Sequence, residues 1–253
     1  MNKTRRTLLT TGLATAAGAS GLAVAARLAN RYGLIPPDHG GIYGVGETLT
    51  YAAQRLLMSH HSTAREFDRS QISKVFPVNG EPPETELYER LQATQFVDWR
   101  LKLDGLVARP SLLSLAELKR IPSVSQITHQ ACEEGWSAIA EWTGVPLSSV
   151  LNLAGVVPQA RYVVFYSLEE AFGFESLDLL DSFHPQTLLA YGMNGQELPT
   201  RHGAPVRLRV ARQLGYKSIK FLSRITVTDT LKNLGKGLGS SAPEAGYSWY
   251  AGI

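Results

Sequence analysis

The order of hydrophobic and polar positions predicts a helix in the first third of the chain. Between residues 48 and 67, apolar side chains recur at helical spacing, and the pattern stops near His60 and His61. Residues 33–47 are rich in Gly and Pro, which predicts an irregular, ordered arm that leads into this helix. The apolar positions of the predicted helix are Leu49, Ala52, Ala53, Leu56 and Leu57.

From Val97 onward the pattern changes to short runs separated by turn signals. The predicted strands are 97–110 with a turn at Asp104-Gly105, 124–131, 161–167 as a central strand, 188–199 with a turn at Asn194-Gly195, 205–211 and 221–229. The predicted helices are 114–122 with a capping box of Ser114 and Glu117, 135–146 closed by Gly144 and Pro146, and 146–155. Strands with inserted short helices predict an α+β fold with mixed sheets.

The first residues have the layout of an export signal. Lys3, Arg5 and Arg6 precede an apolar segment of small residues, and no acidic residue occurs before Asp38. The stretch TRRTLL, residues 4–9, fits the twin-arginine pattern. This predicts export to the periplasm by the twin-arginine route, with the segment either cleaved or retained as a membrane anchor.

Length and composition indicate one large core. The chain is 44% hydrophobic, which is ample for a packed interior. We predict a signal or anchor over residues 1–31, an N-terminal arm and helix over 32–95, and the core with a C-terminal tail over 96–253. Lys and Arg number 25 and Asp and Glu 22, with no basic run beyond the N-terminus, so the charge pattern gives no case for nucleic-acid binding.

Cys132 is the single cysteine of the chain, and the pattern puts it where a strand gives way to a helix. The residue types leave three interpretations open. The thiol is a small buried hydrophobe, a nucleophile with a histidine base from His129, His184 or His202, or a metal ligand. One thiolate cannot complete a zinc site, so a metal bound here must bring most of its coordination sphere with it.

Three stretches resemble the sulfite-oxidase-fold molybdopterin oxidoreductases, over roughly residues 96–230. They are CEEGWSAIAEWTGVPLSSVL from Cys132, ARYVVFYSLEE from Ala160, and NGQELPTRHGAPVRLRVARQLGYKSIKFLSRITV from Asn194. The similarity is greatest to the exported, haem-free branch that includes the periplasmic methionine sulfoxide reductase catalytic subunit. The resemblance implies the sulfite-oxidase molybdopterin-binding fold, with a signal segment in front of it.

The resemblance also gives individual residues expected roles. Cys132 would be the sulfur ligand of molybdenum, because soft metal sites favour thiolates, and Glu134 would hold or relay a proton. The residues expected to bind molybdopterin are Ser167, His202, Arg207, Ser218, Ile219 and Lys220, with His60, His61 and Arg65 from the N-terminal part. Arg207 and Lys220 suit a phosphate, since charge-assisted bonds to phosphate are strong.

Some features depart from the family pattern. The reductase branch typically has Asn at the position of His202, and His there is more like sulfite oxidase. No arginine lies near Cys132 in the preceding sequence, although sulfite oxidases gather arginines around their anionic substrate. Only 23 residues follow Thr230, too few for the dimerisation domain of the sulfite oxidases, which predicts a monomer.

The predicted function is that of an exported mononuclear molybdenum oxidoreductase. It would transfer an oxygen atom to or from a small sulfur or nitrogen oxide, with sulfoxide reduction favoured over sulfite oxidation. Electrons would come from a separate cytochrome-type partner. A metal-free cysteine-dependent enzyme and a non-catalytic pterin-binding protein are the alternatives from other classes.

Overall fold

The computed structural model describes residues 24, 27–29, 33–57, 62–169 and 173–253. Its helices are α1 (Val45–Leu57), α2 (Glu86–Ala93), α3 (Leu115–Arg120), α4 (Leu147–Ala154), α5 (Leu179–Ser182) and α6 (Ser241–Glu244). Its strands are β1 (Arg100–Gly105), β2 (Ser111–Ser114), β3 (Val124–Ala131), β4 (Ser137–Pro146), β5 (Tyr162–Ser167), β6 (Phe174–Asp178), β7 (Thr187–Met193), β8 (Gln196–Glu197), β9 (Arg207–Val210) and β10 (Leu222–Thr228).

Two sheets share one hydrophobic core. The first has the strand order β2-β1-β10-β5-β6, in which β1 and β10 run parallel and the other pairs are antiparallel. The second has the order β3-β4-β7-β8, with β9 also paired to β7. Leu103 and Ile225 of the first sheet and Leu189 and Leu208 of the second lie in the same buried cluster. The α+β prediction with mixed sheets is confirmed.

The helix predicted over residues 135–146 is wrong, because most of this segment is strand β4. It pairs along its length with β3, from Val124 opposite Gly144 to Ala131 opposite Ser137. Ala138, Ala140 and Trp142 are buried at every second position, a period-two signal that the prediction overlooked. Gly144 does not end a helix: a Cβ there would lie 2.2 Å from the Leu189 carbonyl oxygen, so glycine allows β7 to approach.

The turn predicted at Asp104-Gly105 is also wrong, because both residues belong to β1 and lie opposite Thr226 and Val227 of β10. The remaining predicted helices and strands are present with adjusted ends. Ser114 Oγ accepts a hydrogen bond from the Glu117 amide, and the Glu117 carboxylate accepts one from the Ser114 amide, which forms the expected capping box of α3. The β7–β8 turn has Asn194 and Gly195 in the left-handed region, as a two-residue hairpin requires. Strand β5 is interior, between β10 and β6.

Helix α1 and the C-terminal tail pack against each other on the first sheet. Tyr51 makes edge contacts with Trp249 and Tyr250, whose ring centroids lie 6.0 and 5.1 Å away. Arg55 of the same helix forms ion pairs with Asp178 and Asp181 in the core. The predicted helix is therefore confirmed over Val45–Leu57, whereas His60 and His61 lie outside the described residues.

The predicted signal segment falls almost entirely outside the described part of the chain. Among the residues that are described, no helix combines the length and the apolar character needed to cross a bilayer. The export segment, either cleaved or retained as an anchor, therefore stays a prediction.

Candidate functional site

Cys132 lies in the tight turn that joins β3 to β4, and not at the start of a helix as the sequence predicted. The Cys132 amide donates to the Trp136 carbonyl oxygen at 2.9 Å, and the Gly135 amide donates to the Cys132 carbonyl oxygen at 3.1 Å. Gly135 has a φ of 89°, which closes the turn at no steric cost. A helix dipole therefore does not act on this thiol, because the segment that follows is a strand.

Polar side chains surround the sulfur at contact distance. Glu133 Oε2 lies 3.4 Å from Cys132 Sγ, Asn79 Nδ2 lies 3.7 Å away and Glu134 Oε2 lies 3.9 Å away. Burial, with Glu133 beside the sulfur, raises the pKa of the Cys132 thiol. A metal-free chain thus holds this cysteine as a protonated thiol at neutral pH, the opposite of an activated nucleophile.

A cleft beside Cys132 collects most of the residues that the sequence singled out. It encloses about 810 Å³ of empty space, part of it open to solvent, within the size range of small-molecule sites. Its walls include Cys132, His202, Arg207, Ser218, Ile219 and Lys220 from the predicted set. The loops that bring them together follow β3, precede β9 and precede β10. We call this the cysteine cleft.

Two buried arginines from β9 lie under the cysteine cleft. Arg207 donates to the carbonyl oxygens of His202 and Ser218, and Arg209 donates to that of His129. Both guanidinium groups lie over the Trp142 ring, 5.0 and 5.7 Å from its centroid. Neither forms an ion pair with a carboxylate in the described part of the chain.

Burial lowers the pKa of Arg207 to about 10 and that of Arg209 to about 9. The second value also includes repulsion from Arg207. At neutral pH both side chains remain charged, so two positive charges lie beneath the cleft without a neutralising acid. Such a site attracts an anion.

His202 is half-buried at the end of a single 3-10 turn. Burial, with repulsion from Arg207 and Lys220, lowers the pKa of His202 to about 4. The imidazole is therefore neutral near pH 7 and can donate from one nitrogen and accept at the other. The Phe76 ring meets it edge-on, at 5.5 Å between centroids.

The loop of Ser218, Ile219 and Lys220, which the resemblance assigns to cofactor binding, uses part of its hydrogen-bonding capacity within the fold. The Ser218 amide already donates to the Gly215 carbonyl oxygen at 2.9 Å. The Ser218 hydroxyl accepts from the Val210 amide at 3.0 Å. Lys220 Nζ donates to the Asn79 carbonyl oxygen at 2.6 Å. Ser218 thus holds the loop against β9, and Lys220 is the member of the three that carries a charge.

Other predicted residues lie away from the cleft surface. The Ser167 hydroxyl donates to the Lys220 carbonyl oxygen and accepts from the Glu169 amide, both at 2.9 Å, and Ser167 does not line the cleft. Arg65 is exposed, with its guanidinium 4.8 Å from the Phe67 ring centroid, and does not line it either. His60 and His61 cannot be compared because they lie outside the described residues.

Sequence reasoning expected an N-terminal contribution to the cleft but did not identify Phe76 and Asn79 as the residues that make it. The segment of residues 62–79 runs along β3 and β4: the Phe67 amide donates to the Ile127 carbonyl oxygen and the Ser73 amide donates to that of Ile139. This course brings Phe76 and Asn79 into the cleft wall opposite Lys220. Asn79-Gly80 is a turn signal in the sequence, but the dipeptide alone does not indicate which surface the turn meets.

Aromatic side chains on other loops were also missed. Trp136 donates its indole N–H to Glu134 Oε2 at 3.0 Å and fixes that carboxylate near the sulfur. Tyr216 and Tyr247 stack at 5.2 Å on the cleft rim, so the C-terminal tail reaches the site. Gly215 lets this loop lie close to β3, because a Cβ there would be only 3.3 Å from Gln130 Nε2.

The residues of the cysteine cleft fit an anionic cofactor that is bound through sulfur. Arg207 Nε and Gln130 Oε1 are buried polar atoms without a hydrogen-bond partner among the described residues, and both residues line the cleft. Orphaned donors and acceptors of this kind are rare unless a ligand or water completes them. A thiol and uncompensated cations that line the same cleft match molybdopterin, which brings molybdenum to a thiolate and carries a phosphate.

Comparison with known proteins agrees with this assignment. The family described as oxidoreductase molybdopterin binding domain matches residues 89–233. The putative protein-methionine-sulfoxide reductase subunit YedZ1 of Azospira oryzae is 35% identical over 199 residues, 79% of this chain and 71% of that protein. The protein-methionine-sulfoxide reductase catalytic subunit MsrP of Xanthomonas axonopodis pv. citri is 37% identical over 147 residues, 53% of this chain and 46% of that protein.

A solved structure shows the same relationship. The sulfane dehydrogenase SoxCD from Paracoccus pantotrophus superposes with a TM-score of 0.51 and 26% identity, over 53% of this chain and 39% of that chain. The match to MsrP proteins covers somewhat less than half of their length. The chain therefore belongs to the oxidoreductase molybdopterin binding domain family, has the sulfite-oxidase-type fold that its motifs predicted, and is a molybdopterin-dependent oxidoreductase.

Proposed function

We propose that the protein is an exported reductase that converts a sulfoxide to a thioether and water. The reaction consumes two electrons and two protons, and the sulfoxide oxygen leaves as water. Molybdopterin, when bound, supplies oxygen-atom transfer at a single molybdenum. The names of the relatives, protein-methionine-sulfoxide reductase subunits, support a sulfoxide as the substrate.

The cysteine cleft offers separate residues for the two ends of the cofactor. Cys132 would be the protein ligand of molybdenum, because a thiolate is the soft donor that such a metal favours. Arg207 and Lys220 would bind the phosphate through charge-assisted hydrogen bonds. Neutral His202 would hydrogen-bond the pterin, while Ser218, Ile219 and Ser167 would hold the loop that carries Lys220.

The charge around Cys132 is the observation that favours a sulfoxide over sulfite. Glu133 and Glu134 have carboxylate oxygens within 4 Å of Cys132 Sγ, and the walls of the cleft include the rings of Phe76 and Trp136. Two carboxylates repel a small dianion, whereas a neutral sulfoxide meets no such penalty and can pack its methyl and sulfur against the rings. The guanidinium groups of Arg207 and Arg209 already donate to backbone carbonyl oxygens of His202, Ser218 and His129.

Glu134 is the residue that we assign to proton delivery. It is exposed, so it exchanges protons with water. The Trp136 indole N–H holds its carboxylate near the sulfur. A carboxyl group in this position can pass protons to an oxygen that leaves the substrate, as general acids do.

We further propose export to the periplasm by the twin-arginine route and electron supply from a separate cytochrome-type donor. The TRRTLL stretch supports the export route. The single cysteine supports the separate donor, because common iron–sulfur clusters take several cysteine ligands. We expect the protein to be a monomer, with the division at residues 31 and 95 that the sequence predicts.

The first test is metal analysis of protein exported by its own signal in a host that makes the cofactor. We expect about one molybdenum per chain, a stoichiometry set by a single cysteine ligand site, and an altered or lost paramagnetic resonance signal in Cys132→Ala. Turnover is then measured with methionine sulfoxide and a reduced viologen dye, and separately with sulfite and an oxidised dye. Sulfite turnover alone would replace the proposal with sulfite oxidation. Folded wild-type protein without molybdenum would overturn both.

A further inference from the structure

Helix α1 turns its charged residues inward. Glu47 and Arg55 are the only charged side chains of the helix. Both are buried together with Tyr51, and Arg55 pairs there with Asp178. At about 100° per residue these three positions fall on one side of the helix, within an arc of roughly 80°.

The opposite side of α1 is apolar and open. Val45 is 75% exposed, Leu49 64%, Leu56 69% and Leu57 81%. With Ala53, which is also exposed, they occupy an arc of about 120° that contains no charge. A surface helix normally shows the reverse arrangement, with its apolar stripe toward the core. We call this surface the α1 face.

The sequence in front of α1 is richer in cations than in acidic residues. Between Met1 and Asp38 there is no acidic residue, whereas five cations occur. Arg27 and Arg31 are the two that lie close in sequence to α1, whereas Lys3, Arg5 and Arg6 belong to the predicted export signal. Val24 and Leu28, which are described, are themselves exposed hydrophobic residues. Tyr43, 58% exposed, adds an amphipathic ring at the edge of the α1 face.

We propose that the α1 face rests on the surface of a lipid bilayer that contains anionic lipids. Apolar side chains of an interfacial helix bury themselves at the boundary of the acyl chains, while nearby cations bind anionic headgroups. A protein partner fits less well, because protein interfaces carry about one hydrogen bond per 100–200 Å². Thr50 is the single hydrogen-bonding side chain among the exposed positions of the helix.

The proposal predicts a specific effect of charge on the α1 face. Exported holoenzyme is mixed with vesicles of phosphatidylcholine and phosphatidylglycerol, and the bound fraction is measured by flotation. Leu49→Glu/Leu56→Glu should reduce the partition coefficient roughly tenfold or more, because carboxylates replace two leucines that would insert into the bilayer. Leu153→Glu, at an exposed leucine of α4, should bind as the wild type does.

Three results would overturn the proposal. One is equal binding of the wild type and the α1 double variant, which would assign any membrane contact to other residues. Another is wild-type protein that stays in solution with every vesicle composition. The third is a dimer, found by sedimentation, that the double variant dissociates, because a second copy would then cover the α1 face. Molybdenum content and the circular dichroism spectrum verify that each variant is folded, and turnover with a viologen dye tests the proposed function separately.

Discussion

The Arg55 guanidinium lies 2.7 Å from the Asp181 carboxylate, with both side chains almost fully buried. Arg55 comes from α1 and also pairs with Asp178, so a single cation ties the N-terminal helix to two acids of the core. Asp181 Oδ2 in turn accepts a hydrogen bond from Gln213 Nε2, and Gln213 lies just before the loop that lines the cysteine cleft. The docking of α1 is therefore electrostatic on its inner side, where hydrophobic packing alone would be usual.

Replacement of Arg55 should destabilise the protein strongly. Arg55→Met leaves Asp178 and Asp181 with less compensation, and breaking a buried ion pair costs about 3 kcal/mol or more. Urea unfolding of wild type and variant measures the difference in free energy. Lys119→Met is the control, since Lys119 pairs with the exposed Glu197 and surface pairs contribute about 1 kcal/mol at most. A loss in Arg55→Met no larger than that of the control would contradict the assignment.

Glu47 should make stability depend on pH. Burial and the neighbouring Asp38 carboxylate raise the pKa of Glu47 to about 7. Because the folded state then holds a proton that the unfolded state releases near pH 4.5, stability is full below that pH and falls as the pH rises to 7. The free energy of unfolding should fall by on the order of 2 kcal/mol over this pH range.

The matched variant for this prediction is Glu47→Gln, which keeps the shape and cannot ionise. It should be more stable than wild type at pH 8 and close to it at pH 4.5, as measured by urea unfolding at both values. Glu89→Gln, at an exposed position of α2, should show neither effect. A Glu47→Gln variant that is less stable at pH 8 would mean that the carboxylate is stabilised by partners when charged.

Asn79 should influence the electronic state of the metal without holding it. Its amide nitrogen approaches the Cys132 sulfur at 3.7 Å, and polar contacts to a ligating atom tune a metal centre. Asn79→Leu should keep the molybdenum content and shift the paramagnetic resonance signal, together with the midpoint potential. An unchanged signal and potential in Asn79→Leu would show that Asn79 packs in its loop without influencing the metal. Loss of the metal would make it a binding residue.

Most of the helices and strands were predictable from periodicity, and the largest exception is the segment of residues 135–146. Residues 135–146 contain Gly144 and Pro146, which ended a helix in the prediction. The same residues form β4 because Ala138, Ala140 and Trp142 alternate inward between two partner strands. A period-two signal over so few residues is weak beside the helix-ending signals of Gly144 and Pro146, and pairing with β3 and β7 decides the outcome. The boundary predicted between residues 95 and 96 stays a prediction.

The site was predictable where a motif lay on one continuous stretch. His202, Arg207 and Lys220 line the cysteine cleft with Cys132, as the family resemblance of residues 194–227 implied. Asn79 was missed because its arm crosses β3 and β4, and that path depends on tertiary contacts. The outward apolar side of α1 was equally hidden: spacing locates a stripe on a helix but cannot say which way the stripe turns.

Arg207 should decide how firmly the cofactor is held. It is buried, lines the cleft and has an Nε that finds no hydrogen-bond acceptor among the described residues, so a phosphate would supply the acceptor that it lacks. Arg207→Met should reduce molybdenum and pterin per chain by about tenfold or more, because a charge-assisted hydrogen bond contributes roughly 1.5–3 kcal/mol. Arg207→Lys should retain an intermediate amount, since an ammonium keeps the charge without the planar fork.

Cofactor content is measured on protein purified from the same host, by metal analysis and by fluorescence of the oxidised pterin. Arg224→Met is the matched control, because Arg224 lies outside the cleft and pairs with Asp104 on the first sheet. The circular dichroism spectrum separates loss of cofactor from loss of fold. Full molybdenum content in Arg207→Met would show that the phosphate binds elsewhere, with Lys220 as the next residue to replace.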